Sequence, residues 1–155
     1  MARETERKFL VRGNFKPHIS RSYALKQGYL QREPERTVRV RVKGDKGYLT
    51  IKGTASLSGL TRDEWEYEIP LADAEEMLHL CADSTIEKTR HLIPCGSLMF
   101  EVDEFEGDNE GLVVAEIELP DEDTPFDHPD WLGDEVTGDA RYYNSALSKN
   151  PYKRW

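Results

Sequence analysis

The chain has 155 residues, 37% hydrophobic and 33% charged, with a formal net charge of -9. That length suits a single domain over 1–155, burying roughly two thirds of its unfolded surface, and the aromatic content and regular patterning exclude a disordered chain. The acidic balance excludes a general binder of phosphate backbones, so no nucleic-acid partner is expected, although a small polyanion needs only a local basic pocket.

Taken in order, most of the chain alternates with period two, the signature of strands. Strands are predicted near 2–11, 22–32, 36–43, 46–53, 61–69, 85–92, 98–105 and 111–119. GDKG at 44–47 and EGDNEG at 106–111 read as hairpin turns, and GTASLSG at 53–59 as a longer connection. LADAEEMLHLCA, 71–82, places Leu71, Ala74, Met77, Leu78 and Cys81 on one helical face. PDEDTPFDHPDW, 120–131, reads as a solvated acidic loop, and Asp139 as the cap of a last helix over 140–149. No apolar run is long enough to span a membrane, so no membrane partner is expected. MARETERKFLV begins as structured sequence rather than as a signal peptide, and the expected location is the cytoplasm. Cys81 and Cys95 form no CxxC and are expected as reduced thiols.

Eight strands with short antiparallel connections fit a barrel or a sandwich, and an eight-stranded barrel has room for side chains or one small ligand. The charges sort by strand face. Glu4, Glu6 and Lys8 share a face; so do Arg39, Arg41 and Lys43; so do Arg62, Glu64, Glu66 and Glu68. Lys88 pairs with Arg90, Glu101 with Asp103 and Glu116 with Glu118, while Lys52 stands beside Thr50. The opposite faces are mostly apolar. In a sandwich the charged faces would meet water; in a barrel they could instead line the interior, with the apolar faces outward under helices and loops. Two like charges ~6.6 Å apart repel by roughly 0.6 kcal/mol in water, but by roughly 2.5 kcal/mol at an effective dielectric near ~20. Enclosed cations therefore need carboxylates or a bound anion. Cationic strands facing acidic ones make sense if arginine and lysine grip phosphates while carboxylates hold Mg²⁺ or Mn²⁺.

These blocks match a family pattern. ETERKFLV resembles the ExExK signature of the CYTH superfamily, the triphosphate tunnel metalloenzymes. The resemblance continues in order through RVRVKG, LTIKG, TRDEWEYEIP, EKTRH, FEVDEFEG, AEIEL and ARYYNSAL, nearly the whole chain. It implies a mainly β fold: an eight-stranded antiparallel barrel forming a charged tunnel, with flanking helices. The implied activity is metal-dependent hydrolysis of a small triphosphate, foremost inorganic tripolyphosphate, with Mg²⁺ or Mn²⁺ as cofactor. Nucleoside or thiamine triphosphatase and class IV-type adenylate cyclase are the alternatives within the family, and a non-catalytic polyphosphate binder is the alternative outside enzymes. Carried over by position, Lys8, Arg39, Arg41, Lys52, Arg62, Lys88 and Arg90 would contact substrate. Glu4, Glu6, Glu64, Glu66, Asp103, Glu116 and Glu118 would be associated with metal. Lys8 is expected to act in catalysis, and so is Tyr29, by influencing that lysine or the attacking water, although a strand tyrosine also suits simple packing. Arg141, Tyr142 and Tyr143 are expected to seat the last helix against the barrel, with a plug at one tunnel mouth as the alternative reading; a homodimer is a further option that no particular residues single out.

Overall fold

The computed structural model describes residues 2–81 and 83–155. In chain order the strands are β1 (Ala2–Val11), β2 (Arg21–Gln31), β3 (Arg36–Lys43), β4 (Lys46–Ala55), β5 (Thr61–Ile69), β6 (Ile86–Cys95), β7 (Leu98–Phe105), β8 (Val113–Glu118) and β9 (Leu132–Glu135). Helix α1 (Leu71–Leu80) follows β5, and the short α2 (Asn144–Leu147) lies near the end of the chain. The sheet runs β5-β4-β3-β2-β6-β7-β8-β1, and β1 pairs back onto β5. All pairings are antiparallel, so eight strands close a barrel. β9, within a stretch not predicted as strand, adds to β1 at Phe9 and Val11, beyond the point where β5 ends.

The alternation decides which stripe faces in. Lys8, Arg39, Lys88, Arg90, Asp103 and Glu116 are all buried, so the charged stripes line the lumen and the apolar ones face outward. The outward stripes need cover, and the chain supplies it in two places. α1 lies across β3 and β4, where Ala74 and Leu78 pack on Val40, with Val42, Leu49, Ile69 and Met77 around them. The acidic loop 120–131 covers the other side. Its aspartates are exposed, yet Trp131 is buried against Phe100, with ring centroids 5.1 Å apart, and Phe126 packs on Phe9. It is therefore an anchored cover rather than a solvated connection: two aromatics are enough to hold it, because each removes a large apolar area from water.

Two glycines admit α1 to this distance. A Cβ at Gly28 would sit 2.5 Å from the Cβ of Cys81, and one at Gly47 2.6 Å from that of Ala74. Gly28→Ala is expected to destabilise the fold by about 1–3 kcal/mol through overpacking, readable as a lowered urea midpoint at unchanged slope.

The C-terminal region departs from the predicted helix over 140–149. Asp139 does cap, its carboxylate accepting from the Arg141 N–H at 3.1 Å, but the element capped is a 3-10 turn, Ala140–Tyr142. Tyr143 is extended (φ -66°, ψ 134°), and α2 begins after it. The segment packs across one end of the barrel instead of along its flank. There Tyr142 and Leu147 join Tyr29, Ile86, Phe105, Leu112 and Val114 in an apolar plug, so among the described residues α1 is the one α-helix that flanks the barrel wall. Among the described residues no helix is long and apolar enough to cross a membrane, and Cys81 and Cys95 are unpaired.

Candidate active site

The barrel encloses a cavity of about 500 Å³ lined by residues from all eight of its strands and by Tyr143, Asn144 and Ser145. Its size is ordinary for a small-ligand site, but its lining is almost wholly charged and polar.

The cations come chiefly from β1, β3, β4 and β6. On β3, Arg39 lies 3.7 Å from Glu66 and donates to the Thr50 hydroxyl at 3.2 Å. Thr50 in turn donates to Glu66 at 2.7 Å, so this carboxylate, expected near metal, serves here as the partner of Arg39. The Nε of Arg39 is buried without an acceptor among the described residues, a state that buried donors rarely keep. Arg41 donates through Nε and Nη2 to the Gln27 amide oxygen at 3.0 and 2.9 Å. Burial, followed by Arg39 and Arg90 nearby, pulls its guanidinium down to about 9. That is the mark of a cation short of negative charge. Lys52 bonds both oxygens of Glu4 at 2.9 Å. Arg62 sits at the rim, giving its N–H groups to the carbonyls of Gly53 and Pro34.

On β6 the cations have a dedicated counterion. Asp103 takes a two-pronged contact from Arg90, at 2.8 and 2.9 Å, and a contact from Lys88 at 2.7 Å. Glu101 also accepts from Arg90, at 3.0 Å. Asp103 is 1% exposed and lies behind the lining of the cavity. The structure thus places this acid, expected with the metal ligands, as an anchor for two cations; at that depth a carboxylate must be paired. Burial still pulls Lys88 down to about 8 against the opposing pull of Asp103.

The remaining carboxylates gather on β1, β5 and β8. Register sets Glu6 opposite Glu118, Lys8 opposite Glu116 and Glu101 opposite Glu116. Lys8 is 3.6 Å from Glu116. Although burial alone would raise Glu116, Lys8, Arg90 and Lys88 hold it well below the usual carboxylate range. Glu4 is likewise held low, by Lys52 and by its contact with Glu64. Their neighbours move the other way. Glu64 is pushed up to about 7 by burial and by Glu4. Burial, then Glu116 and Glu4, push Glu6 well up, and burial with Glu4 and Glu101 raises Glu118. Acids crowded against acids are short of a cation. Carboxylate oxygens are the donors that hard divalent ions take, so Glu6, Glu116 and Glu118, with Glu4 and Glu64 beside them, fit Mg²⁺ or Mn²⁺ by chemistry. As the side chains stand, no three acids, imidazoles or thiols among the described residues are gathered tightly enough to hold an ion.

Tyr29 is both packed and on the lumen: it is buried in the apolar plug, its ring lines the cavity, and its hydroxyl accepts from Gln27 at 3.4 Å. Sequence reasoning passed over Gln27, 0% exposed, which seats Arg41; its spacing of two from Tyr29 was the available signal. It also passed over Tyr143 and Asn144 as lining residues. Asn144 accepts from Lys88 at 3.0 Å, and the backbone carbonyl of Tyr142 accepts from Lys8 at 3.2 Å. No strand periodicity marks them, because the last segment reaches the cavity only through the tertiary fold.

Comparison with known proteins agrees with this geometry. The CYTH domain family model matches residues 2–149. An inorganic triphosphatase of Acetivibrio thermocellus is 51% identical over 156 residues, covering 100% of this chain and 99% of that protein. An inorganic triphosphatase of Nitrosomonas europaea is 37% identical over 150 residues, covering 94% of this chain and 96% of that protein. A crystal structure of an inorganic triphosphatase superposes with a TM-score of 0.69 at 33% identity, covering 96% of this chain and 95% of the other.

Proposed function

The chain belongs to the CYTH domain family, and from that premise we propose that it is a triphosphatase that hydrolyses inorganic tripolyphosphate to pyrophosphate and orthophosphate with the help of a divalent metal ion. The observation that carries the reading is the convergence of Lys8, Arg39, Arg41, Lys52, Lys88 and Arg90 on one enclosed cavity that also holds an acid-rich wall. A compact polyanion satisfies the first group, including the orphaned Nε of Arg39 and the crowded Arg41. A hard cation satisfies the second.

In this scheme Arg39, Arg41 and Arg90 contact phosphate oxygens through their planar forks, and Lys52 and Lys88 act as point charges. Asp103 and Gln27 keep Arg90, Lys88 and Arg41 in place before substrate arrives. Glu6, Glu116 and Glu118 would hold Mg²⁺ or Mn²⁺, with Glu4 and Glu64 adjoining. When bound, the ion supplies charge neutralisation on phosphate and lowers the pKa of a water. Water oxygen forms the new bond to the terminal phosphorus and gives up its proton to solvent, the bridging P–O bond breaks, and pyrophosphate leaves with the bonding electron pair. Lys8, between the acidic wall and the phosphate end of the cavity, stabilises the charge that develops in transfer. No covalent nucleophile is needed, because phosphoryl transfer is served by positioning and electrostatics. The two unpaired thiols suit the cytoplasm.

The test is to incubate the protein with tripolyphosphate, ATP or thiamine triphosphate, each with Mg²⁺ or Mn²⁺, while following orthophosphate, pyrophosphate and cyclic AMP. Orthophosphate should be released fastest from tripolyphosphate, and removal of metal with EDTA should stop it. Cyclic AMP from ATP would transfer the assignment to a cyclase. Tight tripolyphosphate binding without turnover under any metal would make the protein a binder.

A further inference from the structure

A second cavity, about 580 Å³, lies behind the first, and both are bounded by Tyr29, Tyr143 and Ser145. We propose that Tyr143 is a chain-length stop: its ring closes the inner end of the catalytic cavity, so that a three-phosphate chain is accommodated and longer linear polyphosphates are excluded. The inference rests on the triphosphatase reading and concerns which inorganic polyphosphates that site accepts.

Three observations carry it. First, the ring stands between a buried cation, Lys8, and the half-buried Arg62. The Lys8 ammonium is 5.4 Å from its centroid and the Arg62 guanidinium 5.9 Å, so a phosphate held by Lys8 comes up against an aromatic face, which offers a polyanion nothing. Second, the ring is fixed rather than loosely tethered. The residue before it gives its carbonyl to Lys8 at 3.2 Å, and the residue after it holds Lys88 at 3.0 Å. Tyr142 and Leu147 are buried in the plug, and Tyr142 packs edge-on against Trp155 at 5.1 Å. Tyr143 leaves helical geometry between the 3-10 turn and α2, and this extended conformation places its ring on the cavity wall. Third, there is room beyond the ring. The second cavity is lined by Arg32 and Lys149 together with Glu33 and Asp83, and Arg32 lies 3.8 Å from Asp83, so it offers a longer chain space rather than a second basic pocket.

The test compares tripolyphosphate with tetrapolyphosphate and longer chains of defined length, for wild type, Tyr143→Ala and Tyr143→Phe. kcat/KM is measured with Mg²⁺ or Mn²⁺, and affinity is measured separately by calorimetry in EDTA. Wild type should favour the three-phosphate chain by roughly tenfold or more, Tyr143→Ala should lose that preference, and Tyr143→Phe should keep it, since the ring and not the hydroxyl blocks the path. Should the alanine variant fail to fold, Tyr143→Leu, which also opens the wall, takes its place. An unchanged length ratio in the opened variant overturns the stop, and so does a wild type that takes all lengths equally. If wild type binds but hydrolyses nothing, the triphosphatase reading falls while the calorimetric ratios still decide the stop. If it binds no polyphosphate of any length, both fall.

Discussion

Lys8→Ala is expected to lower kcat/KM for tripolyphosphate by about 10²- to 10³-fold, the usual loss when a preorganised charge aimed at a developing anion is removed. The ammonium is buried, 3.6 Å from Glu116 and bonded to the Tyr142 carbonyl, so it is aimed before substrate binds and costs no reorganisation in the transition state. In an enclosed site that charge also acts with little screening. The barrel should survive the change, because Glu116 keeps the attraction of Arg90 and Lys88 and Glu6 is already driven toward its protonated form. Steady-state kinetics beside a circular-dichroism melt separate the two effects. A folded variant with an undiminished rate would show that the reacting phosphate lies elsewhere. Lys8→Arg should recover only part of the rate, since a planar fork does not replace a compact ammonium.

Asp103→Asn is expected to act through the fold. Arg90 and Lys88 both rely on this carboxylate, at 2.8, 2.9 and 2.7 Å. Removing one partner of a buried charge set leaves the others uncompensated, at a cost of about 3–5 kcal/mol. The acid limb of the stability curve provides a second readout. The folded state holds the Asp103 carboxyl below its ordinary value: burial works against this, and Arg90 and Lys88 outweigh it. A carboxylate so lowered stabilises the fold above its unfolded-chain pKa of about 3.9 and gives up that contribution as the pH falls below it. The variant should therefore lose most against wild type at neutral pH and approach it in acid. Tripolyphosphate should restore part of the lost stability by supplying the missing negative charge. If Asp103 instead held metal, the metal-free melting point would barely move and the metal requirement would shift.

Much of the architecture was legible because strand periodicity is a strict signal. β1, β3, β5 and β7 occupy the predicted spans 2–11, 36–43, 61–69 and 98–105. The i, i+2 rule also grouped the residues that now share the lumen, because side chains two apart must point to one face of a strand. What escaped was whatever lacks a period. Trp131 and Phe126 hold a loop whose composition reads as solvated, and β9 is only four residues long. The last helix breaks at Tyr143, where a contact from Lys8 to the Tyr142 carbonyl and the seating of Leu147 outweigh local helix preference.

The sequence by itself determined the sorting: which strands carry cations, which carry acids, and that each has an apolar reverse. It also carried the family pattern, in order, from Glu4 to Leu147. Only the tertiary structure decided that the charged faces turn inward, since one strand's alternation serves a sandwich and a barrel equally well. Closure of β5 onto β1 gives the sheet one enclosed face, and the burial of Lys8, Arg39, Lys88, Arg90 and Glu116 shows that it is the charged one. The tertiary structure likewise decided the division of labour among the acids. Asp103 and Glu116 look alike in a strand pattern, but Asp103 is turned onto Arg90 and Lys88 behind the wall, while Glu116 lines the cavity. That difference comes from which residues stand across the register, and no single strand contains it.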